Sequence, residues 1–522
     1  MRGRSASAAV SIAATAPANV DRKVGATKNV AQVMPQLDLG GIVRVLTCGS
    51  VDDGKSTLIG RLLWDASDLF EDQREALRRS ERRALGGKYL DYSLLVDGLI
   101  AEREQGITID IAWRYFDTAH RRFVIIDSPG HEQYTRNMAS GASHADVAVM
   151  LIDARHGIKS QTRRHAAILG LFGVRRVVLA VNKMDLVEWS EVKFRAIETE
   201  FKSIARRFKF EDVSAIPVAA VSGDCVARRS AAMPWYKGPT LLEYLNQVTA
   251  SASLAAALFR MPVQTVLRDG QDFRGLAGTI SAGRIAVGEP IVDPVSGGAA
   301  KIKRIATMDG DLAAASAGQA VVLELDRDID VSRGAVLAAP ASPPVAARSV
   351  TSRFVWLAEQ PFDPKVNYLL RTATDLVPVS WVAIEGVLNL ETLAQAPATS
   401  CATNDIVVAG IGLGRATALE PFADAATTGN FILVDGLTGA TVAGGVVVAA
   451  HATSQGSAQA ENSRDAGIVA DTFVLTRAIL FAGICADLAA SDDNETELRR
   501  RADATTNLLR AAGVRVSVDL TP

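Results

Sequence analysis

Residues 49–57 offer phosphate chemistry. Gly49-Ser50-Val51-Asp52-Asp53-Gly54-Lys55-Ser56-Thr57 fits the pattern G-x-x-x-x-G-K-[ST]. The apolar run Ile42–Leu46 leads in and Leu58–Leu63 follows with helical character, so strand, loop and helix stand in the order this loop requires. Glycines let successive backbone N–H groups converge on phosphates, and the helix start adds a positive dipole end. Lys55 would reach the β- and γ-phosphates, and the Ser56 hydroxyl would ligate Mg²⁺.

Three further stretches complete a nucleotide pocket. Asp127-Ser128-Pro129-Gly130 closes the apolar run Phe123–Ile126. A carboxylate there can hold Mg²⁺ through water, while the Gly130 N–H can sense the γ-phosphate. Asn182-Lys183-Met184-Asp185 follows Val177–Val181. The Asp185 carboxylate can accept two hydrogen bonds from guanine; adenine offers an acceptor at N1 and would leave that charge unpaired, so Asp185 selects guanine. Thr108 lies between the first two motifs and could bring a second hydroxyl to Mg²⁺ as a switch residue ordered by the γ-phosphate. His131 follows Gly130 directly, where a neutral imidazole could orient the attacking water. Catalytic roles therefore fall to Lys55, Thr108 and His131, and metal ligation to Ser56, Thr108 and Asp127. Each stretch alone has a bland reading as turn, strand or polar loop; their order along one chain outweighs it.

The elements that must position these residues are visible as apolar runs alternating with helical stretches from Gly40 to about Asn246: Ile42–Leu46, Phe123–Ile126, Val147–Ile152, Val177–Val181 and Ala215–Ala219. That alternation predicts an α/β domain with a parallel sheet and flanking helices, whose ligand sits at the carboxyl ends of the strands. Asp72–Arg83 is charged and helix-prone and reads as a solvated face. After about Ala250, short β-branched stretches with glycine turns take over (Val263–Leu267, Gly278–Ile280, Glu289–Val292, Lys301–Ile305, Ala320–Leu325), which suggests an antiparallel barrel. Ala338–Ala347 reads as a linker, and a second β-rich section runs from Arg353 to Val448. Ala450–Asp465 is linker-like again; Leu498–Ala512 reads as a helix ahead of a strand-like Val514–Val518. The organisation expected is an extension over 1–38, a P-loop domain over 39–250, β-barrels over 258–340 and 350–450, and a short appendix over 466–522.

Bulk properties agree with several globular domains. The chain has 522 residues, 48% of them hydrophobic, with a net charge of -2, which gives no global pull toward nucleic acid or acidic lipid. Cys48, Cys225, Cys401 and Cys485 form no C-x-x-C pair and no disulfide framework, which fits a reducing, cytoplasmic compartment. Cys48 reads as a small packing residue. No apolar run reaches the ~18 residues needed to span a bilayer. The first 38 residues are rich in Ala and Ser, with no acidic residue before Asp21. A targeting signal shares that composition; the weak apolarity of Ala8–Ala13 favours a disordered extension.

The four motifs in this order resemble the translational-factor class of GTPases. Residues 49–63, 106–112 and 131–138 are similar, more narrowly, to the large GTP-binding subunit of bacterial sulfate adenylyltransferase. Two later stretches extend the similarity: Met233-Pro234-Trp235-Tyr236-Lys237-Gly238-Pro239-Thr240-Leu241-Leu242 and Asp272-Phe273-Arg274-Gly275-Leu276-Ala277-Gly278-Thr279-Ile280. The resemblance is strong over about 40–340 and weak over 350–450. It implies a GTPase whose hydrolysis of Mg²⁺–GTP drives a small catalytic subunit to join sulfate to ATP, giving adenosine 5′-phosphosulfate and pyrophosphate, with no nucleic-acid or membrane partner.

The sequence departs from that family in places. The fifth guanine-contacting loop, usually Ser-Ala, is Ala219-Ala220, so a hydroxyl contact is lost. The family's charged pattern around 383–392 has become Ala383-Ile384-Glu385-Gly386-Val387-Leu388-Asn389-Leu390-Glu391-Thr392, which puts partner docking there in doubt. Some relatives carry a fused adenylylsulfate kinase. Residues 487–493 and 508–513 resemble its middle section faintly, but no second glycine loop with a lysine follows Val448, so 466–522 reads as a decayed remnant without kinase activity. Two alternatives stay open: a translation-type GTPase carrying aminoacylated RNA, which the near-neutral charge disfavours, and a worn regulatory paralogue that binds GTP without driving catalysis.

Overall fold

The computed structural model describes residues 42–66, 75, 77, 90–96, 110–118, 121–248, 257–269 and 273–452, together with three short strands, Ile468–Val469, Thr472–Thr476 and Val516–Asp519. Thr108, the Asp72–Arg83 segment (Glu75 and Leu77 apart), the first 38 residues and the expected helix over 498–512 lie outside the described residues.

Six strands form the first sheet: β1 (Val43–Cys48), β2 (Ala112–Asp117), β3 (Arg122–Asp127), β4 (Val147–Asp153), β5 (Arg176–Asn182) and β6 (Asp212–Pro217), in the order β2-β3-β1-β4-β5-β6. Pairings from β3 across to β6 are parallel. β4 is buried along its whole length, as expected of a strand covered by helices on both faces. β2 departs from the all-parallel expectation and runs antiparallel to β3. The Thr118–Arg121 turn between them, closed by Thr118 N–H donating to the Arg121 carbonyl at 2.8 Å, is too short for a crossover helix, so only a hairpin can form. β2 is also the strand that the apolar runs missed, because Trp113 and Tyr115 alternate with Arg114 on a half-exposed edge.

Helices α1 (Lys55–Ala66), α2 (Thr135–Ala142), α3 (Ser160–Leu171), α4 (Glu191–Ala205) and α5 (Leu241–Gln247) pack around this sheet. α5 opens with a capping box: Thr240 Oγ1 accepts from Glu243 N–H, and the Glu243 carboxylate accepts from Thr240 N–H. Arg61, on α1, is buried and ion-paired to Asp65 at 2.8 Å, and its guanidinium lies 5.0 Å from the Tyr92 ring centroid.

Two β units follow. In the middle one, strands Arg260–Pro262, Val336–Ala338, Pro290–Val292, Ala299–Thr307, Ala320–Leu325, Phe273–Thr279 and Thr265–Asp269 wrap a core that includes Met261, Ile291, Ile302, Ile305 and Leu323. The second is a closed barrel: Val345–Trp356 pairs with Ile406–Leu419 and Thr441–Ala452, and Tyr368–Arg371 joins Leu376–Leu388 to Asn430–Asp435 to complete the ring. The expected linker Ala338–Ala347 is shorter than its composition suggested. Ala338 ends one strand and Val345 begins the next, where Ala347 is fully buried. The closed barrel is set firmly against the α/β domain, since its Val355, Ile406 and Val446 belong to that domain's core. The short strands Thr472–Thr476 and Val516–Asp519 pair in parallel.

Candidate nucleotide-binding site

The loop between β1 and α1 is held in the shape its residues permit. Gly54 takes φ 94°, in the left-handed region, where a residue bearing a side chain would be strained. A Cβ on Gly54 would also lie 2.5 Å from Asn182 Nδ2. The Asp53 carboxylate accepts the Ser50 N–H at 2.7 Å and closes the turn from within. Lys55 is buried, and its Nζ donates to the carbonyls of Gly49 at 3.1 Å and Ser50 at 3.0 Å. Burial lowers its pKa, and the nearby Asp127 and Asp53 carboxylates oppose that shift.

Asp127 ends β3 almost fully buried and accepts from Thr47 Oγ1 at 3.2 Å. Ser128 turns back on β1, its hydroxyl donating to the Thr47 carbonyl at 2.7 Å. Gly130 then passes so close to the phosphate loop that a Cβ there would lie 2.7 Å from the Gly49 carbonyl oxygen and closer still to Lys55 Nζ. His131 is exposed and caps the 3-10 turn Glu132–Tyr134, its Nδ1 accepting from Gln133 N–H at 3.2 Å.

At the other end of the pocket, Asn182 ends β5. Its Nδ2 donates to the Asp53 carbonyl at 2.8 Å, and its Oδ1 accepts the Ala220 N–H at 3.0 Å. Lys183 takes φ 61°; its Nζ ion-pairs with Asp153 at 3.1 Å and donates to the Asp52 carbonyl. Met184 is fully buried, and Asp185 stands exposed in the next turn. The amides of the Ala219-Ala220 loop are engaged within the chain: Ala219 N–H donates to the Asp224 carbonyl and Ala220 N–H to the Asn182 carboxamide.

Sequence reading missed three charged contributors. Asp153 ends β4 and is buried, and it chelates Arg155 through Nε at 3.0 Å and Nη2 at 2.6 Å. Lys159 pairs with Asp53 at 3.6 Å. The signal for Asp153 was present, since a carboxylate closes a fully apolar run there just as Asp127 does. Cys48 behaves as packing: it is fully buried, and burial pushes its thiol up to about 12.

These groups fit an anionic, phosphate-bearing ligand. The buried Ser50 hydroxyl oxygen has no hydrogen-bond partner among the described residues, and the Lys55 ammonium donates to backbone carbonyls, so polar capacity is left over at the loop. Beside His131, the closed barrel meets the α/β domain across a cleft of about 1470 Å³. Asn404 Nδ2 donates to the Glu132 carbonyl and Arg136 Nη2 to the Thr441 carbonyl, both at 3.2 Å, so the segment after Gly130 is tied to the barrel.

Fold and loop together define a GTP-binding domain of the translation-factor type, and residues 41–253 match the model described as the elongation factor Tu GTP binding domain. Residues 349–448 match the GTP-eEF1A C-terminal domain-like model. The chain is 47% identical over 438 residues to a sulfate adenylyltransferase subunit 1 of Methylorubrum extorquens, covering 82% of this chain and 93% of that protein. It therefore belongs to the sulfate adenylyltransferase subunit 1 family. It is also 45% identical over 428 residues to a bifunctional enzyme NodQ of Rhizobium sp., covering 82% of this chain and 66% of the relative, so it spans slightly under two thirds of that protein's length. Among solved structures, Sup35 complexed with GMPPNP aligns at 27% identity and a TM-score of 0.36, over 80% of this chain and 97% of that one.

Proposed function

We propose that the chain is the GTP-hydrolysing subunit of a two-subunit sulfate adenylyltransferase, working in the cytoplasm beside a small catalytic subunit. GTP hydrolysis here drives its partner to form adenosine 5′-phosphosulfate and pyrophosphate from ATP and sulfate. One observation carries the nucleotide half of this reading: Asn182 ties the phosphate loop to the base-recognition loops next to a buried Lys55 that donates to backbone carbonyls. The near-complete coverage of the Methylorubrum subunit supports the sulfate half.

The residues divide the work as follows. Gly49 to Gly54 present backbone N–H groups to the phosphates, and Lys55 exchanges its carbonyl acceptors for phosphate oxygens. Ser56, Thr108 and Asp127 would hold Mg²⁺, which would neutralise charge on the phosphates. Gly130 reports the γ-phosphate to the turn beginning at His131, whose imidazole orients the attacking water. Asp185 accepts from guanine and excludes adenine, while Lys183 and Met184 shape the base pocket. Residues 39–250, 258–340 and 350–450 serve as the GTPase domain and two barrels, and 466–522 as an appendix left from an adenylylsulfate kinase.

The test is a reconstitution with the small subunit in which pyrophosphate release from ATP and sulfate is followed with and without GTP. Stimulation by GTP that is lost in Lys55→Ala supports the reading. Turnover indifferent to GTP, in a complex that binds GTP, removes it.

A further inference from the structure

Asp153 sits at the carboxyl end of β4, level with Asn182 on β5. Its side chain is 2% exposed, yet it meets two cations from two different loops. Lys183 Nζ lies 3.1 Å from Oδ2. Arg155 donates through Nε to Oδ1 at 3.0 Å and through Nη2 to Oδ2 at 2.6 Å, and its own backbone N–H adds a bond to Oδ1 at 2.9 Å. Lys183 meanwhile reaches the Asp52 carbonyl in the phosphate loop. Both Lys183 at φ 61° and Asp52 at φ 67° hold left-handed backbone that non-glycine residues adopt only when their surroundings impose it.

We propose that Asp153 is a positioning residue for the guanine pocket: one buried carboxylate, itself held by Arg155, fixes Lys183 against the phosphate loop. This rests on the reading of residues 182–185 as the base-recognition loop. A flexible lysine stem must give up rotamer freedom to lie across a base, and an ion pair at the strand end supplies that order before the nucleotide arrives. A bidentate carboxylate–guanidinium pair fixes direction as well as distance, so Arg155 holds the Asp153 carboxylate in the orientation that meets Lys183. Burial raises the Asp153 pKa, and hydrogen bonds from Arg155 and Lys183 outweigh it and hold the carboxyl well below the usual range, so the anchor stays charged at neutral pH. A residue that merely ended β4 would not need both cations.

The experiment is a double-mutant cycle on the GDP dissociation constant of the full chain, read by titration with a fluorescent GDP analogue, using Asp153→Asn, Lys183→Met and the pair. Asp153→Asn should fold, because Asn keeps the shape and the released Lys183 and Arg155 side chains are 24% and 42% exposed and can be hydrated. It is expected to weaken GDP by about 10- to 100-fold, the range for a lost charged hydrogen bond. In the Lys183→Met background the same change should cost at most about twofold, since its object is already gone. Arg155→Met changes an exposed side chain and frees the Asp153 carboxylate that orders Lys183, so it should weaken GDP severalfold. Equal losses from Asp153→Asn in both backgrounds, or wild-type affinity in Asp153→Asn, overturn the proposal. If Asp153→Asn fails to fold, Arg155→Met decides: unchanged affinity overturns the proposal. A wild-type chain that binds no guanine nucleotide would instead overturn the base-loop reading beneath it.

Discussion

Asn182 donates from Nδ2 to the Asp53 carbonyl at 2.8 Å across 129 residues of chain, and so joins the guanine loop to the phosphate loop through one carboxamide. The other end of that carboxamide accepts from Ala220 N–H. Asn182→Ala leaves a buried carbonyl and a buried amide without partners, each worth about 1–3 kcal/mol. GTP affinity should fall at least tenfold and the apparent melting temperature should drop. Calorimetry and a thermal melt read both, and wild-type affinity in a folded variant would refute the bridging role.

On the proposed role of Asp185, guanine selection depends on hydrogen-bond polarity. Asp185→Asn turns an acceptor pair into one acceptor and one donor, which suits the carbonyl at position 2 of xanthine. GTP should weaken strongly while xanthosine triphosphate improves. Side-by-side dissociation constants check this, and an unchanged preference contradicts the assignment.

Gly130 is the point where β3's loop touches the phosphate loop. A Cβ there would lie 2.7 Å from the Gly49 carbonyl oxygen and 2.9 Å from the Ser50 carbonyl carbon, both backbone atoms that cannot swing aside. Gly130→Ala should therefore push the two loops apart. Single-turnover GTP hydrolysis should fall by more than tenfold while GDP binding falls less, because the γ-phosphate side is displaced first. Equal losses for the two would place the damage in general folding.

The chemistry of this site was legible because each motif is local: Gly49–Thr57, Asp127–Gly130 and Asn182–Asp185 each close a buried apolar strand, and the structure gathers them at one end of the sheet. What stayed hidden was non-local. Asp153 gains its partners only when β4 lies beside β5, and no spacing in the sequence announces Lys183 as one of them. β2 was missed because an edge strand with Trp113 and Tyr115 exposed has no continuous apolar run. The engagement of the Ala220 amide was equally out of reach, since it depends on where the Asn182 side chain points.

His165 on α3 gives the chain a specific acid sensitivity. The ring is 1% exposed, Nδ1 has no hydrogen-bond partner among the described residues, and Gln161 lies 2.9 Å from Nε2. Burial, reinforced by the Lys55 charge, lowers its pKa to about 3 from 6.5. The unfolded chain therefore takes up a proton below pH ~6.5 that the folded chain refuses, so stability falls as pH drops from there toward about 3, by at most about 1.4 kcal/mol per pH unit. Carboxylates such as Asp153, whose pKa is lowered, begin to lose their contribution only as the pH falls below 3.8. Urea unfolding of His165→Gln should show a flatter slope between pH 6.5 and about 4.5, and a slope equal to wild type would exclude this histidine as the cause.

The two β units are joined by a charge that neither can spare. Arg260 and Glu420 are both buried; Arg260 donates to Glu420 through Nη2 at 2.7 Å and Nε at 3.0 Å, and Thr428 Oγ1 donates to the same carboxylate at 2.6 Å. Glu420→Gln keeps the shape and removes the charge, which leaves the Arg260 guanidinium enclosed without a counter-ion, at a cost of about 3–5 kcal/mol. Replacing both, Arg260→Met with Glu420→Gln, removes the stranded cation and should recover most of that loss. Chemical denaturation of the single and double variants measures the recovery. A double variant less stable than Glu420→Gln alone would mean that Arg260 holds the two β units through its carbonyl bonds to Phe259 and Ser342 rather than through the ion pair.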